Sequence, residues 1–222
     1  MIIRSDTPTD KPRKARRTGS SRLSSPERDS RAKEPKQARA HESRERLLDG
    51  LMRLLQERSY SEISVADIAA AANLTTGAVY GRFGDKHGVA VALGERFLEQ
   101  SFEMMDEWSG QERWATAGPR EIIDGWTRGA VNFHREYRAL LTLMLSDPVL
   151  RPQHSALTAR SSHTLAGLLR DAMGGQVDEN FVGDVDFAVR AILERLELSD
   201  DDESSARLSR LIARITGAGE DV

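Results

Sequence analysis

The sequence predicts an all-α protein, with an N-terminal three-helix helix-turn-helix unit followed by a larger helical body. Three observations carry this. Apolar residues recur at helical spacing over nearly the whole chain after about residue 38. Aromatic residues make up only 5% while hydrophobic ones reach 39%, and Ala, Leu, Arg and Glu abound, a mix that favours helix over strand. No segment shows convincing strand alternation, an internal repeat or a heptad run.

The elements follow in order. Residues 1–38 are poor in large apolar groups and rich in Ser, Pro, Lys and Arg, so they bury too little surface to offset ordering entropy and are predicted to be a disordered basic arm. Leu47, Leu48, Leu51, Leu54 and Leu55 form one stripe of a first helix over 39–58. Two short helices follow over 65–72 and 76–83, then a longer one over 85–108 with Val89, Leu93, Phe97, Met104, Met105 and Trp108 on one face. Gly110, Gly118 and Pro119 mark a connection. Further helices are expected over 120–136, 137–145, 149–173, 179–198 and 203–216, punctuated by Asp147-Pro148 and Gly174-Gly175. The domains expected are the arm (1–38), a helix-turn-helix unit (39–88) and a helical body (89–222), to which the resemblance drawn below assigns ligand binding and dimerisation.

Charge is unevenly spread. The net value of -3 divides into +7 over residues 1–40, -1 over 41–90 and -9 over 91–222. A basic arm before an acidic body points to a polyanion at the N-terminal end. There is no cysteine, which excludes disulfides and thiolate metal sites. No apolar run approaches the roughly 18–20 residues of a membrane span, and the charged N-terminus lacks a following apolar segment. A soluble cytoplasmic protein is the expectation. A Gly-rich phosphate loop, a Gly-x-Ser-x-Gly elbow and a His-Glu-x-x-His helix are all absent from the sequence. No catalytic residue, metal site or cofactor is predicted, and an enzyme is the weaker hypothesis.

The informative segment runs from Ser64 to Lys86, SVADIAAAANLTTGAVYGRFGDK. Ser64 suits the N-cap of a helix starting at Val65, whose apolar face is Val65, Ile68 and Ala69. Asn73 falls where the chain must turn sharply, and Asn tolerates left-handed backbone angles. Leu74 fills the space between the helices, and Thr75 caps the second one. Val79 and Phe83, four apart, face inward, leaving Thr76, Gly77, Ala78, Tyr80 and Arg82 toward solvent. Small side chains at a helix start let its N-terminus enter a major groove, where its partial positive charge suits phosphate.

This pattern resembles the DNA-binding domain of the TetR family of transcriptional regulators. The motif covers about 23 residues and, with the leucine-striped first helix, the domain about 50. The resemblance implies phosphate contacts from the helix N-termini at Ser64 and Thr75, base-edge contacts from Thr76, Gly77 and Ala78, and phosphate contacts from the Tyr80 hydroxyl and Lys86. Two positions depart from the family pattern. Asn73 replaces a usual Gly, and Gly81 replaces a bulkier residue, a contact that Arg82 would take over. The arm's Arg13, Lys14, Arg16, Arg17 and Arg22 serve either as phosphate or minor-groove ligands or as a solubilising tail.

The resemblance further implies a divergent helical regulatory body. Ile122, Trp126, Ala130, Phe133 and Tyr137 lie on one helix face, and Leu150, His154, Leu157, Ser161, Thr164 and Leu168 on another that mixes apolar and polar groups. Such stripes serve core packing or line a small-molecule site. The predicted ligand-binding set is Trp126, Phe133, Tyr137, His154, Leu157 and Ser161. His154 and His163 otherwise read as surface or hydrogen-bonded residues. In the family the last two helices pair as a homodimer, here carrying Phe181, Val185, Ala188, Val189, Ile192 and Leu196, then Leu208, Leu211, Ile212 and Ile215. The acidic run 200–203 would cap the last helix. The function implied is a repressor released from a palindromic operator in double-stranded DNA by a small-molecule inducer. The alternative is a helix-turn-helix protein whose body binds a protein partner.

Overall fold

The computed structural model describes residues 26–198 and Arg210. These form seven α-helices and two 3-10 turns: α1 Pro26–Glu57, a turn Tyr60–Glu62, α2 Val65–Ala71, α3 Thr76–Phe83, α4 Lys86–Ser109, a turn Glu112–Ala115, α5 Pro119–Ser146, α6 Arg151–Ala172 and α7 Phe181–Leu198. Among the described residues there is no strand. The chain separates into two compact units, 1–39 and 40–222. The described backbone of the first, from Pro26 on, is helical, and the second holds every other described element. The arm residues Arg13, Lys14, Arg16, Arg17 and Arg22, the acidic run 200–203 and the helix expected over 203–216 with Leu208, Leu211, Ile212 and Ile215 lie outside the described residues, as do the side chains of Ile192 and Leu196.

The first helix corrects one expectation. It starts at Pro26 and not near Arg39, so 26–38 is helical where disorder was predicted. The disorder argument weighed burial, but helix formation needs no burial when the sequence is rich in Arg, Lys, Glu, Gln and Ala. Proline is also accepted at the first helical position, where its missing N–H would bond nothing.

Two apolar clusters build the second unit. One gathers Leu47, Leu48, Leu51 and Leu55 of α1 with Ile63, Ile68, Val79, Val89, Leu93 and Phe97, and continues into Leu140, Leu141 and Met144 of α5 and Leu157 of α6. The other joins Trp114 to Ile122, Ile123 and Trp126 of α5, Leu165 and Leu169 of α6, and Phe181, Val185 and Val189 of α7. No described helix is long and apolar enough to cross a membrane.

The two predicted helices, 120–136 and 137–145, meet at the expected break: α5 is two helical segments joined across a kink at Tyr137, whose φ -108° and ψ 17° are non-helical. Gly174 and Gly175 take positive φ, 65° and 76°, and end the α6 segment as the punctuation predicted. The connection 109–119 carries a side chain that spacing did not reveal. Trp114 is buried, donates its indole N–H to the Trp108 carbonyl at 2.6 Å and packs on the Trp108 ring at 4.7 Å between centroids. Gly125 makes room for it, since a Cβ there would come within 2.6 Å of the Trp114 ring.

Candidate nucleic-acid interface and internal cavity

The turn between α2 and α3 is fixed by local chemistry. Ser64 caps α2: its Oγ accepts the Asp67 N–H at 3.1 Å, and Asp67 in turn accepts the Ser64 N–H at 2.8 Å and its hydroxyl at 2.6 Å. These bonds to Ser64 hold the Asp67 carboxyl below its ordinary value. Asn73 takes φ 53°, the left-handed conformation expected of it. The carbonyls at the end of α2 lack helical partners, and two arginines of α1 supply them. Arg46 reaches the Ala72 and Asn73 carbonyls at 2.6 and 3.0 Å, and Arg53 reaches Ala71 at 2.6 Å. Sequence reading missed both. Their spacing of seven, two helical turns on one face of α1, is the signal that was present.

Helix α3 runs over the predicted residues, Thr76–Phe83. Val79 is fully buried and Phe83 partly so, while Thr76, Gly77, Tyr80, Gly81 and Arg82 are exposed and Ala78 is half-buried. Tyr80, at 56% exposure, stands out from an otherwise small-residue tip. Thr75 occupies the N-cap position, but its hydroxyl makes no capping bond, so the expected side-chain cap is absent. The Arg82 guanidinium rests on the Ala78 carbonyl at 3.3 Å.

Lys86 and Ser64 are more committed than predicted. The Lys86 ammonium donates to the Tyr60 and Ile63 carbonyls at 2.9 and 2.8 Å and lies 4.1 Å from the Tyr60 ring centroid. Two of its three donors thus hold the 60–63 turn against the start of α4, which leaves one for a phosphate. Burial, with Asp85 and Asp147 nearby, pushes the Tyr60 phenol up to about 12. The Ser64 hydroxyl is likewise spent on Asp67. Asp85 caps α4 through the Gly88 N–H at 2.7 Å. Arg96 of α4 grips Glu45 and Asp49 of α1 at 2.9 and 2.8 Å. Burial opposes ionisation of Glu45, but Arg96 and Arg44 outweigh it and keep its pKa low.

A cavity of about 160 Å³ lies where α4, α5, α6 and α7 meet, between the two apolar clusters. Trp126, Phe133, His154, Leu157 and Ser161 all line it. Met104, Met105 and Trp108 of α4 complete the wall. The Trp126 indole N–H donates to the Ser161 hydroxyl at 3.1 Å. Tyr137 is not on the wall. It packs between Phe97 and Phe133, at 5.0 Å from each ring centroid. The reason is the distortion at Tyr137 itself, which takes its side chain off the face shared by Trp126 and Phe133. Burial, and then Glu136, raise its pKa. Among the described residues no three His, Asp or Glu side chains gather into a metal site.

Comparison with known proteins bears on the helix-turn-helix unit and on the fold. Residues 47–93 match the family model of bacterial regulatory proteins, tetR family. No curated protein matches the chain. Among solved structures, a transcriptional regulator from Saccharomonospora viridis in complex with choline aligns at a TM-score of 0.60 and 14% identity, covering 80% of this chain and 96% of that one. The TetR family regulator PfmR from Thermus thermophilus aligns at 0.52 and 21%, covering 77% and 97%. RolR in complex with resorcinol aligns at 0.54 and 20%, covering 83% and 96%. At such identities the likeness is one of fold.

Proposed function

We propose that this chain, whose residues 47–93 are a tetR-family DNA-binding domain on the all-α fold of TetR-family regulators, works as a dimeric repressor that a small molecule releases from a palindromic operator. One observation carries the reading: α4 belongs to both sites. Lys86 at its first residue holds the base of the helix-turn-helix, and Met104, Met105 and Trp108 near its other end line the cavity. A ligand that repacks that wall acts on the element that sets α3. It shifts the equilibrium only by its differential affinity for the two arrangements.

The exposed tip of α3 supports groove entry by Thr76, Gly77 and Ala78, with Thr75, Tyr80 and the third donor of Lys86 on phosphates. Ser64 acts in this reading through the helix it caps. Phe187, 68% exposed on α7, supports pairing with a second copy. Two fold neighbours hold small organic molecules, choline in one and resorcinol in the other, which supports a small ligand over a protein partner here.

The test begins with footprinting of bound genomic sites, followed by operator affinity of wild type and Trp126→Ala with and without an inducer found by melting shifts. Wild type is expected to lose affinity with inducer and Trp126→Ala to respond weakly. Indifference of the purified protein to every palindromic duplex at low salt overturns the reading.

A further inference from the structure

We infer that the cavity takes an uncharged, single-ring aromatic molecule carrying a hydrogen-bond acceptor, which the Ser161 hydroxyl orients. The inference rests on the regulator reading for its consequence at DNA, and on the cavity alone for binding.

Size sets the first limit. About 160 Å³ is close to the roughly 150 Å³ of an engineered core cavity that admits benzene, so one substituted ring fills the space. The walls set the second. Trp108, Trp126 and Phe133 offer flat faces for offset or edge stacking, and Met104 and Met105 offer polarisable sulfur. Charge sets the third. Among the described residues no Asp, Glu, Lys or Arg lines the cavity, whose titratable groups are His134 and His154, so an ionised ligand would find no carboxylate, ammonium or guanidinium there to offset its lost hydration.

The polar contact is specific. Ser161 Oγ accepts the Trp126 indole N–H at 3.1 Å, and among the described residues no group takes its own proton. A hydroxyl that accepts from a fixed indole keeps its own proton to donate. The Thr158 and Ser101 hydroxyls already donate to the His154 and Phe97 carbonyls at 3.1 and 2.7 Å, so Ser161 is the wall hydroxyl left to donate, beside the imidazoles of His134 and His154. Met104 and Gly129 line the cavity and are exposed, which gives the ligand a way in.

The experiment is calorimetric titration of the full chain with phenol, toluene, benzoate and benzyltrimethylammonium. Phenol and toluene are nearly equal in size and differ in the hydroxyl, whose oxygen can accept from Ser161. Wild type is expected to bind phenol more tightly than toluene and to bind the two ions more weakly than either. Ser161→Ala should cut phenol affinity about five- to tenfold and leave toluene unchanged. Loss of the Trp126 partner would weaken both probes alike, so the phenol-to-toluene ratio isolates the hydroxyl. An unchanged ratio in Ser161→Ala, tighter binding of either ion, or no binding of any probe by protein that still holds its operator overturns the inference. Phenol binding that leaves operator affinity untouched upholds the ligand class and rejects release by ligand.

Discussion

The two ends of α4 are packed to different standards. At the DNA-facing end, Gly88 sits against the preceding helix so closely that a Cβ would fall 2.0 Å from the Phe83 carbonyl oxygen. There the Lys86 ammonium and the Asp85 cap lock the backbone as well. At the other end, Met104, Met105 and Trp108 border open space of about 160 Å³, although protein interiors normally leave few voids. The contrast teaches where the molecule can yield. A reading head must keep its geometry, whereas a wall next to a void can repack at modest cost.

The largest expected effect breaks the reading head and spares the rest. In Gly77→Leu the new Cβ meets nothing nearer than the Thr75 hydroxyl at 3.7 Å, so the fold tolerates it. The side chain nonetheless fills the tip that would enter a groove. With contacts of about 1–3 kcal/mol lost in each half-site, operator affinity should fall by about a hundredfold or more at unchanged melting temperature and unchanged phenol binding. A fall in phenol binding as well would mean that the two ends of α4 are not separable.

The same substitution at two glycines sharpens the comparison. Gly88→Ala forces a Cβ into backbone and should cost about 2 kcal/mol, the range of overpacking changes. Gly129→Ala, on α5 at the cavity rim, meets nothing within 4 Å and should stabilise by about 0.5–1 kcal/mol through helix propensity. Chemical denaturation of both variants checks the pair. Opposite signs are expected but not equal magnitudes, and destabilisation by Gly129→Ala would show that the rim is packed after all.

The helix-turn-helix was legible because each of its features has a local cause. A serine three residues before an aspartate makes a cap, an asparagine accepts φ 53°, and Val79 and Phe83 share a face of α3. The cavity was legible to the face but not to the depth. Spacing put Trp126, Phe133 and Tyr137 on one side of a helix, yet the distortion at Tyr137 sends its ring to Phe97. What remained hidden depends on partners distant in sequence. The arginines that cap α2 lie 18 to 27 residues from the carbonyls they serve. Lys86 spends its donors on carbonyls 23 and 26 residues back. Trp114 is buried because α5 provides a glycine opposite it. No periodicity within one segment encodes such pairings. The helical start of α1 was missed for another reason, since scarcity of apolar residues is evidence about burial and was read as evidence about conformation.

The smallest expected effect concerns the tie between the DNA-facing end of α4 and the corner joining α5 to α6. His87 Nε2 and Asp147 Oδ2 are 3.0 Å apart, and Asp147 Oδ1 accepts the Val149 and Leu150 N–H groups at 2.8 and 3.2 Å. Burial works against ionisation of Asp147, but these two N–H bonds and His87 prevail, and its carboxyl is held below the ordinary value. The unfolded chain therefore takes up this proton at higher pH than the folded one. The contribution is complete above the ordinary carboxylate range and disappears as pH falls through the lowered folded value. Asp147→Asn removes the charge but keeps the shape. Its melting temperature should lie below that of wild type at neutral pH, and the gap should close as pH drops below the ordinary carboxylate range and through the lowered folded value. A gap constant from neutral to acid pH would mean that Asp147 holds the corner by shape and hydrogen bonding alone. The rigidity of the DNA-facing end would then be a matter of packing around Gly88 and owe nothing to this charge.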